Sequence, residues 1–153
     1  MTSRFLVVLA LALVGCSERR IPDFHGVRLG MTPREVRDRF DVHGDFAVAP
    51  AAANDDVTMR FSPIAAPAAQ QVTVAEQVTV TSAQFEFHMG VLVAVRADVT
   101  APDAASSGDA TVATRAEVLH RERKDGGAHI DWLSRECPTH TAEANRLARA
   151  AGK

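Results

Sequence analysis

The chain is 153 residues long, 46% hydrophobic and 24% charged, with 17 Lys+Arg against 19 Asp+Glu for a formal net charge of −2. That is material for one domain with a single modest core, and no stretch gathers the basic density that phosphate neutralisation needs, so nucleic acid is set aside as a partner. Tyr is absent and Trp occurs once, too few aromatics to build stacking platforms for bases or sugars.

Arg4 supplies a positive start to an unbroken apolar run over residues 5–14, about half the length of a bilayer-spanning helix. The run ends in Leu13-Val14-Gly15-Cys16. This resembles the bacterial lipobox, in which small residues precede a cysteine whose thiol receives a diacylglyceryl group before cleavage. The resemblance implies that residues 1–15 are a lipoprotein signal peptide, that Cys16 is the lipidated first residue of a 138-residue mature chain, and that residues 16–24 form a tether. The covalent diacylglyceryl and N-acyl lipid on Cys16 is then the one non-protein group expected, with no other cofactor and no metal. Each buried CH₂ contributes about 0.8 kcal/mol, so two or three acyl chains hold a protein on a membrane without a spanning segment. Ser17, rather than Asp, follows the cysteine, which implies export to the outer membrane with the domain facing the periplasm. Cys137 is then the remaining thiol in an oxidising compartment and is expected to lie buried as a small hydrophobe.

The mature body, residues 25–153, reads as a single domain. Residues 47–53, 63–70 and 101–110 mix Ala with Pro, Ser, Gly or Asp and are expected to be loops. The clearest helix start is Thr32-Pro33-Arg34-Glu35: Thr caps, Pro takes the first helical position and Glu closes a capping box. A short helix over about 33–40 follows, with Met31 and Val36 as a hydrophobic staple, Val36 and Phe40 as the apolar stripe, and Arg34, Arg37 and Arg39 on the solvated face.

Further along, the pattern switches to period two. Phe85 and Phe87 followed by Val91, Val93 and Val95 around Met89-Gly90 read as a hairpin. A three-residue loop of His88, Met89 and Gly90 would pair Phe87 with Val91 and Phe85 with Val93, placing the bulky residues on one face. A second hairpin is expected at Lys124-Asp125-Gly126-Gly127, pairing Leu119 with Trp132, Arg121 with Ile130, His120 with Asp131 and Glu122 with His129. The competing reading is a helix from Thr114, because Thr114-Arg115-Ala116-Glu117 is also a capping box. A C-terminal helix is expected over about 139–151, with Ala144, Leu147, Ala148 and Ala151 at helical spacing. The class is therefore α+β: an antiparallel sheet of about three to five strands packed by these two short helices.

Chemistry-bearing patterns are sparse. Cys137 and His140, three apart at a helix start, are the arrangement from which a reactive thiol with a nearby base is made. Helix capping explains the same residues. His88, His120, His129, His140 and Cys137 lack zinc-ligand spacing beyond the lone Cys-x-x-His, and Asn54-Asp55-Asp56 reads as a solvated turn. Phosphate-loop, nucleophile-elbow and His-Glu-x-x-His motifs are missing from the sequence.

The stretch Gly26-Val27-Arg28-Leu29-Gly30-Met31-Thr32-Pro33-Arg34-Glu35-Val36 resembles the signature that opens the SmpA/OmlA, or BamE-like, outer-membrane lipoprotein domain. The resemblance implies a short strand ending in Gly-Met-Thr, a capped helix and a three-stranded antiparallel sheet. Its motif positions here are Gly26, Gly30, Met31, Thr32, Glu35 and Val36, and the sequence departs from the family pattern at Phe40-Asp41-Val42-His43-Gly44. The functional expectation is a lipid-anchored, non-enzymatic envelope module that binds a protein partner, in outer-membrane protein assembly or envelope integrity. Two rival readings are a thiol- or metal-dependent enzyme using Cys137 and His140, and a hydrolase-inhibitor-like binding protein.

Overall fold

Period-two alternation of apolar and polar side chains gives one sheet whose two faces carry different chemistry. The computed structural model describes residues 21, 23–50, 56–64, 79–100, 108–124 and 126–150. The expected signal peptide, Cys16 and residues 51–53, 65–70 and 101–107 of the Ala-rich stretches lie outside the described residues. Among the described residues, β1 (Gly44–Pro50), β2 (Val57–Pro63), β3 (Thr79–His88), β4 (Val91–Thr100), β5 (Ala110–Ala113), β6 (Glu117–Lys124) and β7 (Gly127–Ser134) form an antiparallel sheet in the order β1-β2-β3-β4-β7-β6-β5. Helix α1 (Pro33–Arg39) precedes the sheet and α2 (Thr141–Ala150) follows it.

The α+β class is as expected, but seven strands replace the predicted three to five, and the sheet exceeds the three strands that the lipoprotein resemblance implies. The additional strands are β1, β2 and β5. Residues 47–50, read as loop from their Ala and Pro, are the end of β1. β1 and β5 are the two edges, where small residues and proline suffice because one side of the strand needs no partner. β2 carries Met59 and Phe61 inward at period two.

One face of the sheet is apolar. Met59, Phe61, Phe85, Phe87, Leu92, Val95, Ala97, Val99 and Trp132 pack with Val27, Val36 and Phe40 from the chain before β1. Phe40 is the hub: its ring centroid lies 4.8 Å from Phe61, 5.2 Å from Phe85 and 5.9 Å from Phe46. Edge-to-face pairs of this kind add about 0.5–1.5 kcal/mol beyond burial. On the opposite face Ala94, Val118 and Leu133 lie under Ala144 and Leu147 of α2.

Helix α1 forms as its residues dictate. Thr32 Oγ1 accepts the Glu35 amide at 3.3 Å, the Glu35 carboxylate accepts the Thr32 amide at 2.9 Å, and Pro33 opens the helix. The Thr32 amide, followed by the Thr32 hydroxyl, holds the Glu35 carboxyl below the usual range. Val36 is fully buried, Met31 packs against the core, and Arg34, Arg37 and Arg39 are exposed.

The β3–β4 turn departs from expectation. His88 pairs with Val91 and Phe87 with Leu92, so the loop is the two residues Met89-Gly90, with φ of 52° and 79°. This is the mirror-image turn whose twist matches that of the strands. The predicted Phe87–Val91 and Phe85–Val93 pairs do not form. Instead Glu86 opposes Ala94 and Phe87 opposes Leu92, which leaves Val93 as an extra bulged residue. The bulge resets the phase, so Leu92 and Val95 both join Phe85 on the apolar face.

The β6–β7 hairpin has the predicted register throughout, with Gly126 at φ 76° in its turn. The alternative helix at Thr114 is a turn between β5 and β6. Thr114 Oγ1 still accepts the Glu117 amide, at 3.1 Å, but the Thr114 amide donates to the Glu117 carbonyl and closes a hairpin. In place of the short strand implied by resemblance, Phe24 and Val27 form an isolated bridge around His25-Gly26, both at positive φ.

Gly26 and Gly30 both hold left-handed backbone, at φ 81° and 88°, but a Cβ on Gly26 would collide with the Arg39 carbonyl oxygen whereas one on Gly30 would meet open space. Gly30→Ala should therefore cost only the backbone strain of about 1–2 kcal/mol, and Gly26→Ala should cost clearly more. Urea unfolding of the two variants checks this, and equal losses would remove the role given to the Arg39 contact.

Candidate functional site

The motif residues complete the middle of the sheet. β7 pairs with β4 only from Ala94 to Thr100. Beyond it, the Gly30 amide donates to the Leu92 carbonyl at 2.8 Å and the Leu92 amide to the Met31 carbonyl at 2.7 Å. Gly30-Met31 thus continues, by two hydrogen bonds, the strand place that β7 leaves vacant. Between this segment, the β3–β4 turn and the chain leaving β7 runs a groove of about 590 Å³, lined by Leu29, Gly30, His88, Met89, Val91, Leu92, Val93, Ala116, Glu117, Ser134, Glu136, Cys137 and Pro138. Its floor is the buried Leu92 and Val93, and on its lip Met89 is 78% exposed and Val91 40%.

Its polar side chains are few, and the carboxylates among them are Glu117 and Glu136. The Glu117 carboxylate accepts Trp132 Nε1–H at 2.9 Å, and burial pushes the Glu117 carboxyl above the usual range against the pull of that bond. His88 Nδ1 lies 2.7 Å from Asp56 Oδ1, and Glu136 is exposed. Cys137 is 5% exposed, with its Sγ 3.0 Å from Thr139 Oγ1. The Cys137 carbonyl accepts from the amides of His140 and Thr141 and from Thr141 Oγ1, so the residue organises the turn into α2.

His140 belongs to a second cluster, on the opposite face of the sheet from the phenylalanine core. Its Nε2 lies 3.3 Å from Glu86 Oε2, and its buried Nδ1 has no hydrogen-bond partner among the described residues. Arg96 stands at the centre: Nε donates to Glu86 at 3.0 Å, Nη1 to Asp131 at 2.9 Å and Nη2 to Glu143 of α2 at 2.9 Å. The His140 hydrogen bond, joined by Arg96, draws the Glu86 carboxyl down to about 2 despite its burial. Glu143 and then Glu86 raise the Arg96 guanidinium further above its ordinary value. This cluster clamps α2 to the sheet.

The remaining sequence candidates are dispersed. His120 bonds Thr111 at 2.8 Å and His129 bonds Asp98 at 2.8 Å; among the described residues no three His, Cys, Asp or Glu side chains converge as a metal cage. Cys137 and His140 share a turn, but their side chains are committed to Thr139 and Glu86 respectively. Sequence reasoning missed Glu117, Met89 and the Arg96 cluster. The signal for Arg96 was a charge within the β4 alternation, and its opposition to Asp131 becomes visible only when β4 is known to neighbour β7. No family model, no curated protein and no solved structure matches the chain.

Because the Glu86 carboxyl sits far below its ordinary 4.5, its contribution to stability is complete above that value and fades as pH falls toward about 2. Glu86→Gln should unfold at lower urea at neutral pH and converge with the parent near the acid end of that window, as followed by circular dichroism. Cys137 should react with a disulfide probe only as the protein unfolds, and rapid labelling of the folded protein would contradict its shielding.

Proposed function

We propose that the chain is a lipid-anchored bacterial envelope lipoprotein, held on the outer membrane through Cys16, facing the periplasm and acting as a non-enzymatic module that offers its groove to a protein partner. The observation that carries this reading is Met89. A large apolar side chain 78% exposed, at a left-handed turn position that Asn or Gly fills at lower cost, is the kind of local outlier that points to a contact made elsewhere. Methionine is also the apolar side chain best able to adapt to a partner surface.

Two further observations support it. The groove is built by the same segment that resembles the opening of the SmpA/OmlA lipoproteins, with Leu29 and Gly30 in its wall. A place in outer-membrane protein assembly or envelope integrity is the part of the proposal that rests on that resemblance. The side chains a thiol enzyme would need are occupied otherwise, with Cys137 on Thr139 and His140 on Glu86. Among the described residues no helix is long and apolar enough to cross a membrane, and in this reading the acyl chains supply the attachment.

Two measurements test the proposal together. Cys16→Ala should move the protein from the membrane pellet to the soluble fraction. A photo-cross-linking amino acid at Met89 should yield one defined adduct with a β-barrel assembly component in the lipidated protein, lost with Cys16→Ala, while the same group at the exposed Val112 should not. Unchanged partition would overturn the anchor, and equal labelling from Met89 and Val112 would overturn the groove as the contact.

A further inference from the structure

We infer that the groove takes a protein segment in which a branched aliphatic or aromatic side chain adjoins a lysine or arginine. This deepens the binding-module reading above and rests on it. The groove's apolar floor accounts for the first half of the ligand. Val93 and Leu92 are buried beneath an opening bordered by Met89 and Val91, and a cavity of about 590 Å³ falls in the range that encloses small ligands or a few side chains.

The acidic border accounts for the second half. Glu117 and Glu136 both line the groove, and Asp56 stands behind the lining His88, 2.7 Å from its Nδ1. Glu117 is the informative group. Its carboxylate is taken partly out of water, and among the described residues its side-chain donor is the neutral indole N–H of Trp132, on Oε2. Burial outweighs that bond, so the ionised form is under-compensated. The cation whose field reaches it is Arg28, which is shared with Asp23 at 3.5 Å. An incoming ammonium or guanidinium supplies the charge-assisted hydrogen bond that Glu117 lacks. The same carboxylates repel a fatty acid or a phosphate headgroup, which separates a peptide ligand from an acyl chain of equal apolar area.

The molecule carries its own reporter. Trp132 is the single tryptophan in the chain and is hydrogen-bonded to Glu117, so a cation drawing on that carboxylate changes the indole's surroundings and its emission. The lipidated full-length protein in neutral detergent is titrated with three probes: the peptide acetyl-Ala-Leu-Phe-Lys-Arg-Ala-amide, its twin with two Glu in place of Lys-Arg, and lauric acid. Expected are binding of the basic peptide with a shift in Trp132 emission, an affinity at least about tenfold above the acidic twin, and weakening at high salt. Glu117→Gln should lower the affinity about tenfold and abolish the shift, and Glu136→Gln, at an exposed position that leaves folding intact, should lower it several-fold. Equal binding of the acidic twin, tighter binding of lauric acid, or no peptide binding at millimolar concentration overturns the inference. If the Met89 adduct forms while the basic peptide shows no advantage, the cation preference falls and the binding-module reading stands; if the adduct also fails, both fall.

Discussion

One extra residue, Val93, decides what each side of this sheet is made of. Side chains alternate strictly along a strand, so a shift of one position exchanges the two faces. With the two-residue turn at Met89-Gly90 and no bulge, Val95, Ala97 and Val99 would turn away from Phe85, and Arg96 would point into the phenylalanine cluster. The bulge places Val95 against Trp132 on one side, and Ala94 and Arg96 beneath α2 on the other. Since β4 is the central strand, its phase is imposed on β3 and β7 and through them on the rest.

The two faces are held by different physics. Around Phe40 the gain is area removed from water plus ring contacts, which tolerate small adjustments of geometry. Under α2 the apolar contact is small, Ala144 and Leu147 on Ala94, Val118 and Leu133, and orientation comes from Arg96 reaching Glu86, Asp131 and Glu143. Half-buried ion pairs of this sort add little net stability, because desolvation offsets their attraction, yet they punish any arrangement that leaves a partner alone. α2 is thereby fixed in position more firmly than its modest apolar face would achieve. The turn it fixes begins with Cys137 and Pro138, which line one wall of the groove.

What was legible in the sequence was whatever a few neighbouring residues decide. The Thr32 and Glu35 cap and the Asp-Gly hairpin were readable because both depend on groups within a turn of each other, and the whole β6–β7 register followed from the second. The β3–β4 register was not, because Val93 bulges to satisfy packing on both faces, and the occupants of those faces lie far away in the chain. Strands β1 and β5 escaped notice because edge positions demand little hydrophobicity, and β2 escaped with them although Met59 and Phe61 alternate inward along it. The groove was illegible for a related reason: Gly30, Met89, Glu117 and Cys137 are ordinary residues in four separate stretches, and only the sheet order brings them together.

The hydrogen bonds between Leu92 and the Gly30-Met31 pair join residues whose synthesis is separated by roughly sixty positions. A chain synthesised N-terminus first therefore presents Gly30 and Met31 well before the strand that holds them exists. Until β4 arrives, Gly30 and Met31 have no strand to bond, and closing the long loop precedes any reward from the contact. The N-terminal segment is thus made early and seated late, with its apolar stripe uncovered in the interval.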